Sequence, residues 1–339
     1  MSESALVEIP CEDVAREADF FGEHGWRIRD VFPADDPQRI TLDGHGLCIV
    51  VVRGTSFPRR LLLPATTGDT VVSPHGTHLV FGRTTLTAPE LRSEFTLSNG
   101  NENWHVGRAG MHYRDLVPGR QGGAVIASHI RIPIGGPVPD YPHFHDVIFQ
   151  LIFCHRGWVR LAYESQGEPF VLEAGECVIQ PPLIRHRVLE SSDDLHVVEV
   201  GYPAEHLTIA DHEFDFAAAP PDPSRTWSGQ RFVRFRSSDR EWRTGASGAQ
   251  EADTGIAEAT DRRADVRLMR VSGSPSNIDR VPQRRFLMCF VLRGTARVTV
   301  DGRDHDVIES DSIVIPVGSQ ATLLGRPDAE LLLVSIDTD

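Results

Sequence analysis

The chain has 339 residues, of which 40% are hydrophobic and 24% charged, the ordinary balance of a globular protein long enough for two or three domains. Its formal net charge of -14 argues against nucleic acid or an anionic membrane surface as a partner. No run of about 18 apolar residues is present, so no membrane-spanning helix is predicted. The N-terminal residues lack the basic and apolar regions of a signal peptide, and we therefore expect a cytoplasmic protein.

The reactive side chains exclude further classes of function. All 34 basic residues are arginine, so Schiff-base catalysis, pyridoxal phosphate attachment and a P-loop lysine are excluded. The five cysteines are scattered and contain no Cys-x-x-Cys pair, so neither a disulfide framework nor a zinc ribbon is predicted. Cys154 and Cys177 fall in predicted strands and are interpreted as buried packing residues. A catalytic thiol at Cys154 is the alternative.

Residues 5–53 are predicted to form a strand, a helix and three further strands. The helix over 14–24 has apolar residues at 14, 18, 20 and 21 and ends at Gly25. Strands are predicted at 5–9, 26–32, 39–42 and 47–52. This order resembles one βαβββ half of a glyoxalase, or vicinal-oxygen-chelate, domain. Such a domain takes its metal ligands from two halves, so the resemblance implies a structural or pairing module. His24 and His45 are interpreted as turn residues.

Residues 54–108 are rich in threonine, proline and glycine and show little periodicity. One strand is predicted at 76–82. We interpret the rest as a linker that packs on the following domains.

The stretch that follows contains three histidines in a pattern typical of a metal site. His143 and His145 are two residues apart in a predicted strand, so both side chains lie on one face. His186 follows after strand-like runs at 158–163, 169–173 and 176–180, which are separated by glycine turns. A pair on one strand and a single histidine on a later strand can hold one metal inside a small β-barrel. Gln150 points to the same interior if a bulge or short loop at 146–149 corrects the alternation.

This pattern resembles the two motifs of the cupin superfamily. The residues that match in type and spacing are His143, His145, Gly157, Gly175, Pro181 and His186. Gln150 stands where the family usually has glutamate, and Leu183 stands where it usually has glycine. The resemblance implies a β-barrel of the cupin type, with His143, His145, Gln150 and His186 as the metal ligands.

The C-terminal half repeats the pattern in a weaker form after a predicted linker at 217–231. Arg293-Gly294 corresponds to Arg156-Gly157, and Pro316 corresponds to Pro181. The positions that correspond to the ligands are occupied by Arg280, Pro282, Leu287 and Ala321. The resemblance therefore implies a mainly β bicupin. Its predicted parts are the βαβββ module with its linker (1–108), a metal-binding barrel (109–215) and a metal-free barrel (216–339).

Three neutral imidazoles and a neutral amide would leave a divalent metal with its full positive charge, which favours an anionic ligand such as an enolate or carboxylate. Positions left open for substrate are typical of catalytic sites. Imidazole suits iron, zinc and nickel, and manganese less well, and we expect iron. The preferred interpretation is a metal-dependent oxygenase, because the site resembles three-histidine cupin dioxygenases.

Two alternatives stay open. One is a non-redox isomerase, lyase or hydrolase, in which Glu199, Glu190 or His155 moves protons. The other is a non-enzymatic protein that binds a small molecule. The expected partners are a small-molecule substrate and a second copy of the chain in a homodimer.

Overall fold

The computed structural model describes residues 6–54, 60–63, 70–72, 78–81, 88–100, 104–107, 110–218, 220–278, 281–283, 285–326 and 329–338. Within these ranges the protein is mainly β, as predicted. No helix in this part of the chain is long and apolar enough to cross a membrane.

The N-terminal elements follow the predicted order. They are β1 (Leu6–Cys11), α1 (Val14–Glu23), β2 (Arg27–Phe32), β3 (Arg39–Gly44) and β4 (Leu47–Arg53). The Asp13 side chain accepts hydrogen bonds from two backbone N–H groups at the start of α1, which is the usual N-cap arrangement. Val14 and Ala18, four residues apart, are buried against the sheet. His24 caps the end of the helix, and His45 lies in the turn between β3 and β4.

The stretch predicted as a linker contributes strands of its own. They are β5 (Arg60–Leu63), β6 (Thr70–Val72), β7 (His78–Phe81), β8 (Thr96–Ser98) and β9 (His105–Val106). β7 lies within the strand predicted at 76–82. The other four were not predicted, because two to four residues are too few to show periodicity.

Residues 110–218 hold the three histidines. The elements are β10 (His112–Asp115), α2 (Arg120–Gly123), β11 (Ile126–Ile132), β12 (Gly136–Pro137), β13 (His143–His145), β14 (Phe149–Arg156), β15 (Trp158–Tyr163), β16 (Phe170–Glu173), β17 (Cys177–Ile179), β18 (His186–Ser191), β19 (Leu195–Tyr202), β20 (Thr208–Ala210) and a 3₁₀ turn (Phe216–Ala218).

Residues 220–338 continue with β21 (Thr226–Trp227), β22 (Gln230–Arg231), β23 (Arg234–Phe235), a 3₁₀ turn (Ser237–Asp239), β24 (Arg243–Thr244), β25 (Gln250–Asp253), α3 (Ile256–Ala259), β26 (Ala264–Val271), β27 (Ser276–Ile278), β28 (Arg285–Arg293), β29 (Thr295–Val300), β30 (Arg303–Ile308), β31 (Ser312–Val314), β32 (Ala321–Gly325) and β33 (Ala329–Asp337).

Two facing sheets enclose the core that carries the histidines, and we call them the first sheet pair. One runs β16-β15-β18-β13-β20 and continues through β2 into the N-terminal strands. The other runs β23-β17-β14-β19-β11-β10-β9. Apolar side chains from both sheets, such as Leu161 on β15 and Cys154 on β14, pack in one cluster between them. The N-terminal module is thus joined edge to edge to the strand β20.

A second sheet pair is formed by β24-β25-β26-β33-β28-β31-β8 and β27-β32-β29-β30. Its interior is apolar, and Leu287 and Ala321, which correspond to ligand positions in the sequence, are both buried in that cluster. Pro282 is within the described residues and Arg280 lies outside them. The interior of this pair is therefore filled by hydrocarbon side chains at the positions the structure describes.

The largest apolar cluster lies between the two seven-stranded sheets. Phe149, Leu151 and Phe153 project from β14 towards Phe286 and Phe290 on β28, and all five are almost fully buried. Alternation along β14 therefore sends its odd-numbered residues to this interface and its even-numbered residues into the first sheet pair.

Each sheet pair also receives a strand from the other half of the chain. β8, which precedes the first pair in sequence, pairs with β31 of the second pair. β23, which follows the predicted linker, pairs with β17 of the first pair. The sheets therefore cross the sequence boundaries predicted at residues 108 and 216.

Candidate metal centre

The structure brings His143, His145 and His186 together between the sheets of the first pair. One ring nitrogen from each lies within 4.8 Å of the others, and all three residues are buried. The register of the strands produces this arrangement, since β13 and β18 are neighbours in which His143 stands opposite His186. His145 is two residues further along β13 and so points to the same side.

Each imidazole is held by a hydrogen bond through its Nδ1 atom. The Nδ1 of His143 donates to the carbonyl of Tyr141 at 2.8 Å, and that of His186 donates to the carbonyl of Ile184 at 3.0 Å. Because a carbonyl can only accept, Nδ1 carries the proton in both neutral rings and Nε2 carries the lone pair. His145 Nδ1 lies 2.9 Å from the Thr208 hydroxyl. Such outer contacts fix the orientation of imidazoles that bind a metal.

Gln150 lies on the inner face of β14, in the sheet that faces the strands of the histidines. β13 ends at His145 and β14 begins at Phe149, so the intervening residues interrupt the strand and correct the alternation. Gln150 is 1% exposed, and its Nε2 donates to Glu199 Oε1 at 2.5 Å. Its Oε1 is buried and has no hydrogen-bond partner among the residues that the structure describes. A buried acceptor left unsatisfied costs free energy, of the order of 1–3 kcal/mol, unless a ligand or ion supplies a partner.

These residues fit a divalent transition metal. The three imidazoles converge, each with a hydrogen-bonding group at its Nδ1 atom, and on the facing sheet the buried amide oxygen of Gln150 has no hydrogen-bond partner among the described residues. Nitrogen donors of this kind suit iron, nickel, copper and zinc. The donor set leaves room for further ligands, because three protein nitrogens satisfy only part of the coordination sphere of any of these metals.

The three residues proposed to move protons lie in different places. Glu199 is on the inner face of β19 opposite Ile152, beside Gln150. His155 lies on the opposite face of β14, with its ring against Phe290 of the second sheet pair. The prediction that His155 serves the metal site is therefore corrected, because alternation directs it away from the histidines. Glu190 is also excluded from the site, since it faces Arg160 at the surface.

The thiol of Cys154 is not a nucleophile in this position. It is fully buried among apolar side chains, and burial raises its pKa to about 12. The thiolate is the reactive form of cysteine, so this side chain is a packing residue, in agreement with the first interpretation.

Sequence reasoning missed several groups that surround the histidines. Thr208 comes from a three-residue strand, and Tyr163 stacks on His186 with ring centroids 5.6 Å apart. The Asp140 carboxylate lies 3.6 Å from His143 Nδ1 and accepts the backbone N–H of Val188. Asp140 is close to His143 in sequence, and carboxylates commonly accept the outer N–H of a ligand histidine. The other two become neighbours only through strand pairing.

Thr208→Val is expected to weaken metal binding about 10–100-fold. The variant removes the hydroxyl that orients His145, and valine keeps the shape of the threonine side chain. Titration of zinc against a competing chelator measures the change. The matched control is Thr254→Val, which removes a buried hydroxyl bonded to the Val266 carbonyl in the second sheet pair. Equal zinc affinity in all three proteins would show that Thr208 does not support the site.

A second histidine cluster lies outside the metal centre, between the two seven-stranded sheets. His129 Nε2 is 2.9 Å from His196 Nδ1, and the rings of His129 and His155 are 5.7 Å apart. The Arg114 guanidinium donates to His129 Nδ1 at 3.1 Å, and Arg114 itself is 1% exposed. Since arginine only donates, His129 carries its proton on Nε2 and donates it to His196.

The comparisons with known proteins were made at the levels of sequence and structure. No family model matches the chain, and no curated protein matches its sequence. Protein Ylba from E. coli, described by family model DUF861, matches with a TM-score of 0.56 and 12% identity, over 74% of this chain and 94% of that one. A salicylate 1,2-dioxygenase from Pseudaminobacter salicylatoxidans matches with a TM-score of 0.55 and 14% identity, over 74% and 86%.

An oxalate decarboxylase from Lactobacillus farciminis, solved as a formate complex, matches with a TM-score of 0.51 and 11% identity, over 75% of this chain and 87% of that one. These neighbours are cupin-type proteins, and at such identities the likeness shows the fold alone. The likeness of the N-terminal module to a glyoxalase half stays a prediction. The chain therefore has a mainly β fold of the cupin type.

Proposed function

We propose that this protein is a metal-dependent cupin oxygenase that acts on a small enolisable or anionic metabolite. The observation that carries the proposal is the ligand group itself, which in the described residues contains three buried imidazoles and no carboxylate. The proposed arrangement is a metal-binding barrel in residues 109–215 and a second barrel without metal in residues 216–339, with the N-terminal strands attached through β20.

The charge of the ligand group supports an anionic substrate. Two carboxylates lie near the site without belonging to the group of imidazoles: Glu199 is bonded by Gln150, and Asp140 lies 3.6 Å from His143 Nδ1, the ring nitrogen that donates to the Tyr141 carbonyl. A divalent ion held by neutral donors keeps its full charge, and it attracts an anion by several kcal/mol at an effective dielectric constant of about 20. Two of the structural neighbours have names that refer to salicylate and oxalate, both carboxylate anions, which agrees with this substrate class.

The residues of the chain have separate tasks in this proposal. When bound, iron would supply Lewis acidity and one-electron redox chemistry. His143, His145 and His186 fix its position, and Thr208 with the Tyr141 and Ile184 carbonyls keeps the rings oriented. Glu199 holds or accepts a proton beside the substrate, and the apolar cluster around the site excludes water.

A second candidate is a non-redox isomerase, lyase or hydrolase, which the Gln150–Glu199 hydrogen bond favours. A carboxylate fixed at 2.5 Å from an amide nitrogen on the inner face is well placed to transfer a proton. Elemental analysis of the purified protein separates the two. Bound iron, with oxygen consumed when enolisable acids are added, supports the oxygenase. Zinc or manganese, with turnover that is the same without oxygen, contradicts it and supports the second candidate.

Gln150→Glu is expected to tighten metal binding and to weaken the binding of simple carboxylates at least tenfold. The added negative charge would lie close to the metal and would compensate part of its charge. It would also lie beside Glu199, so in the metal-free protein the two carboxyl groups would share a proton. Calorimetric titration of zinc, and then of acetate into the zinc-loaded protein, measures both effects.

The matched control for this substitution is Gln250→Glu, which makes the same change at an exposed position of the second sheet pair. Unchanged acetate affinity in Gln150→Glu would show that Gln150 does not tune the charge of the site.

A further inference from the structure

Two glutamines stand side by side on the inner wall that faces the histidines. The backbone N–H of Gln180 donates to the carbonyl of Gln150 at 2.8 Å, which extends the pairing of β17 with β14 by one residue. On the facing sheet, Tyr163 stands opposite His186 in the register of β15 with β18, and His186 stands opposite His143. The centre is thus enclosed by a row of two glutamines on one side and a row of a tyrosine and two histidines on the other.

The side chain of Gln180 joins these two rows. Its Nε2 donates to the Tyr163 hydroxyl at 2.8 Å, and both residues are buried. In this orientation the amide oxygen of Gln180, like that of Gln150, is buried and has no hydrogen-bond partner among the described residues.

Packing alone does not account for a polar amide at this position. The neighbouring interior is apolar, with Leu161, Val178 and Ile184 in the same cluster as Tyr163. An unsatisfied buried amide oxygen costs free energy that a methionine or leucine of similar size would not. Tyr163, whose hydroxyl accepts from the Gln180 amide, stacks on His186, so this amide lies beside the histidine centre. The remaining partner for Gln180 Oε1 is a hydrogen-bond donor on a bound molecule.

We propose that Gln180, positioned by Tyr163, determines substrate specificity by accepting a hydrogen bond from a hydroxyl or amino group of the substrate. This rests on the proposed function and deepens it. The substrate class becomes a small anion that carries a donor group beside its metal-binding oxygen, such as a 2-hydroxy acid, rather than a plain carboxylate.

The test compares glycolate, which has a hydroxyl group, with acetate, which does not, in calorimetric titrations of the zinc-loaded protein. Zinc is a redox-inert substitute, so binding is measured without turnover. Glycolate also chelates the metal through its own hydroxyl, and this contribution is present in every variant. We expect the ratio of glycolate to acetate affinity to fall about tenfold in Gln180→Met, while zinc affinity stays unchanged.

Methoxyacetate gives a second measurement, because it keeps the oxygen but has no hydrogen to donate. Its affinity relative to acetate should be the same in wild type and Gln180→Met. The control variant is Gln230→Met, since Gln230 is also a buried glutamine with one hydrogen bond and an unpartnered Oε1, but it lies outside the first sheet pair's interior and bonds the Ile148 carbonyl. It should leave the glycolate ratio unchanged.

The outcomes distinguish the two proposals. Failure of the wild-type protein to bind zinc overturns the proposed function and this inference with it. If wild type and Gln180→Met both bind zinc and have the same ratio of glycolate to acetate affinity, only the specificity role of Gln180 is overturned. A fall in the ratio that Gln230→Met reproduces also overturns it, because the effect would then belong to general loosening of the fold.

Discussion

His143→Ala is expected to abolish metal binding and, with it, any metal-dependent turnover. The variant leaves two imidazoles and one amide oxygen, and two histidine nitrogens hold a divalent ion poorly in competition with water. His143 also stands between Tyr141, whose carbonyl it bonds, and His186, whose ring centroid is 4.3 Å away. Its loss therefore removes a ligand and loosens a second one. Zinc titration against a chelator, together with elemental analysis, measures the effect.

The control for this experiment must be another histidine, because a chain with 15 histidines binds some zinc non-specifically. His305→Ala serves this purpose, since His305 lies on β30 of the second sheet pair and stacks on Phe95. It should keep the high-affinity zinc site. Stoichiometric tight binding by His143→Ala would refute the three-histidine centre.

Acidification is expected to destabilise the protein between pH 6.5 and 4 through the second histidine cluster. Burial, and after it the Arg114 guanidinium, lowers the pKa of His129 to about 2. Burial, and after it the neighbouring His196, lowers the pKa of His155 to about 4. Both pKa values lie below the value of about 6.5 in an unfolded chain. The unfolded state therefore binds more protons in this interval, and the free energy of unfolding falls as the pH falls.

The expected loss of unfolding free energy is large. Each group contributes about 1.4 kcal/mol per pH unit, so two groups over the two units from pH 6.5 to 4.5 contribute about 5 kcal/mol. The charged groups that face the cluster are Arg114, Arg156, Asp194 and Glu309. Glu309, 3.9 Å from His155 Nε2, partly compensates for the charge of His155, whereas His196, whose pKa is also lowered by burial, adds a third contribution.

Urea unfolding at pH 7.5, 6.5, 5.5 and 4.5 measures this dependence. His155→Gln removes one of the three titrating histidines and should reduce the slope of unfolding free energy against pH by about a third to a half. A slope that is flat in wild type, or that His155→Gln leaves unaltered, would contradict the assignment of acid sensitivity to this cluster.

The grouping of the three histidines was predictable because its signal is local. His143 and His145 are fixed on one face by the period of a strand, and His186 occurs at a spacing typical of one fold family. To predict that Gln150 faces inward, an interruption of the strand had to be assumed, and the three residues between β13 and β14 provide it. The inward direction of Glu199 follows from the alternation of a single strand.

What could not be predicted depends on which strands become neighbours. His155 was assigned to the wrong face because alternation continues through β14, and its partners His129 and His196 come from β11 and β19. The partners of Gln180 and Thr208 could not be predicted either, because they lie on other strands. Strand alternation shows which residues share a face, but not which strand lies across from it.

The reciprocal exchange of β8 and β23 has a consequence for biosynthesis. Residues 110–218 are synthesised before β23. During this time the backbone groups of Cys177 and Val178 do not yet have the partners with which they pair in the folded protein, Phe235 and Arg234. β8 in turn emerges more than two hundred residues before β31, the strand it pairs with. Neither half can finish its sheet during translation until the other is present, and both edges are exposed to wrong pairing in that interval. Chaperone demand during synthesis should therefore be concentrated in the period before the last strands leave the ribosome.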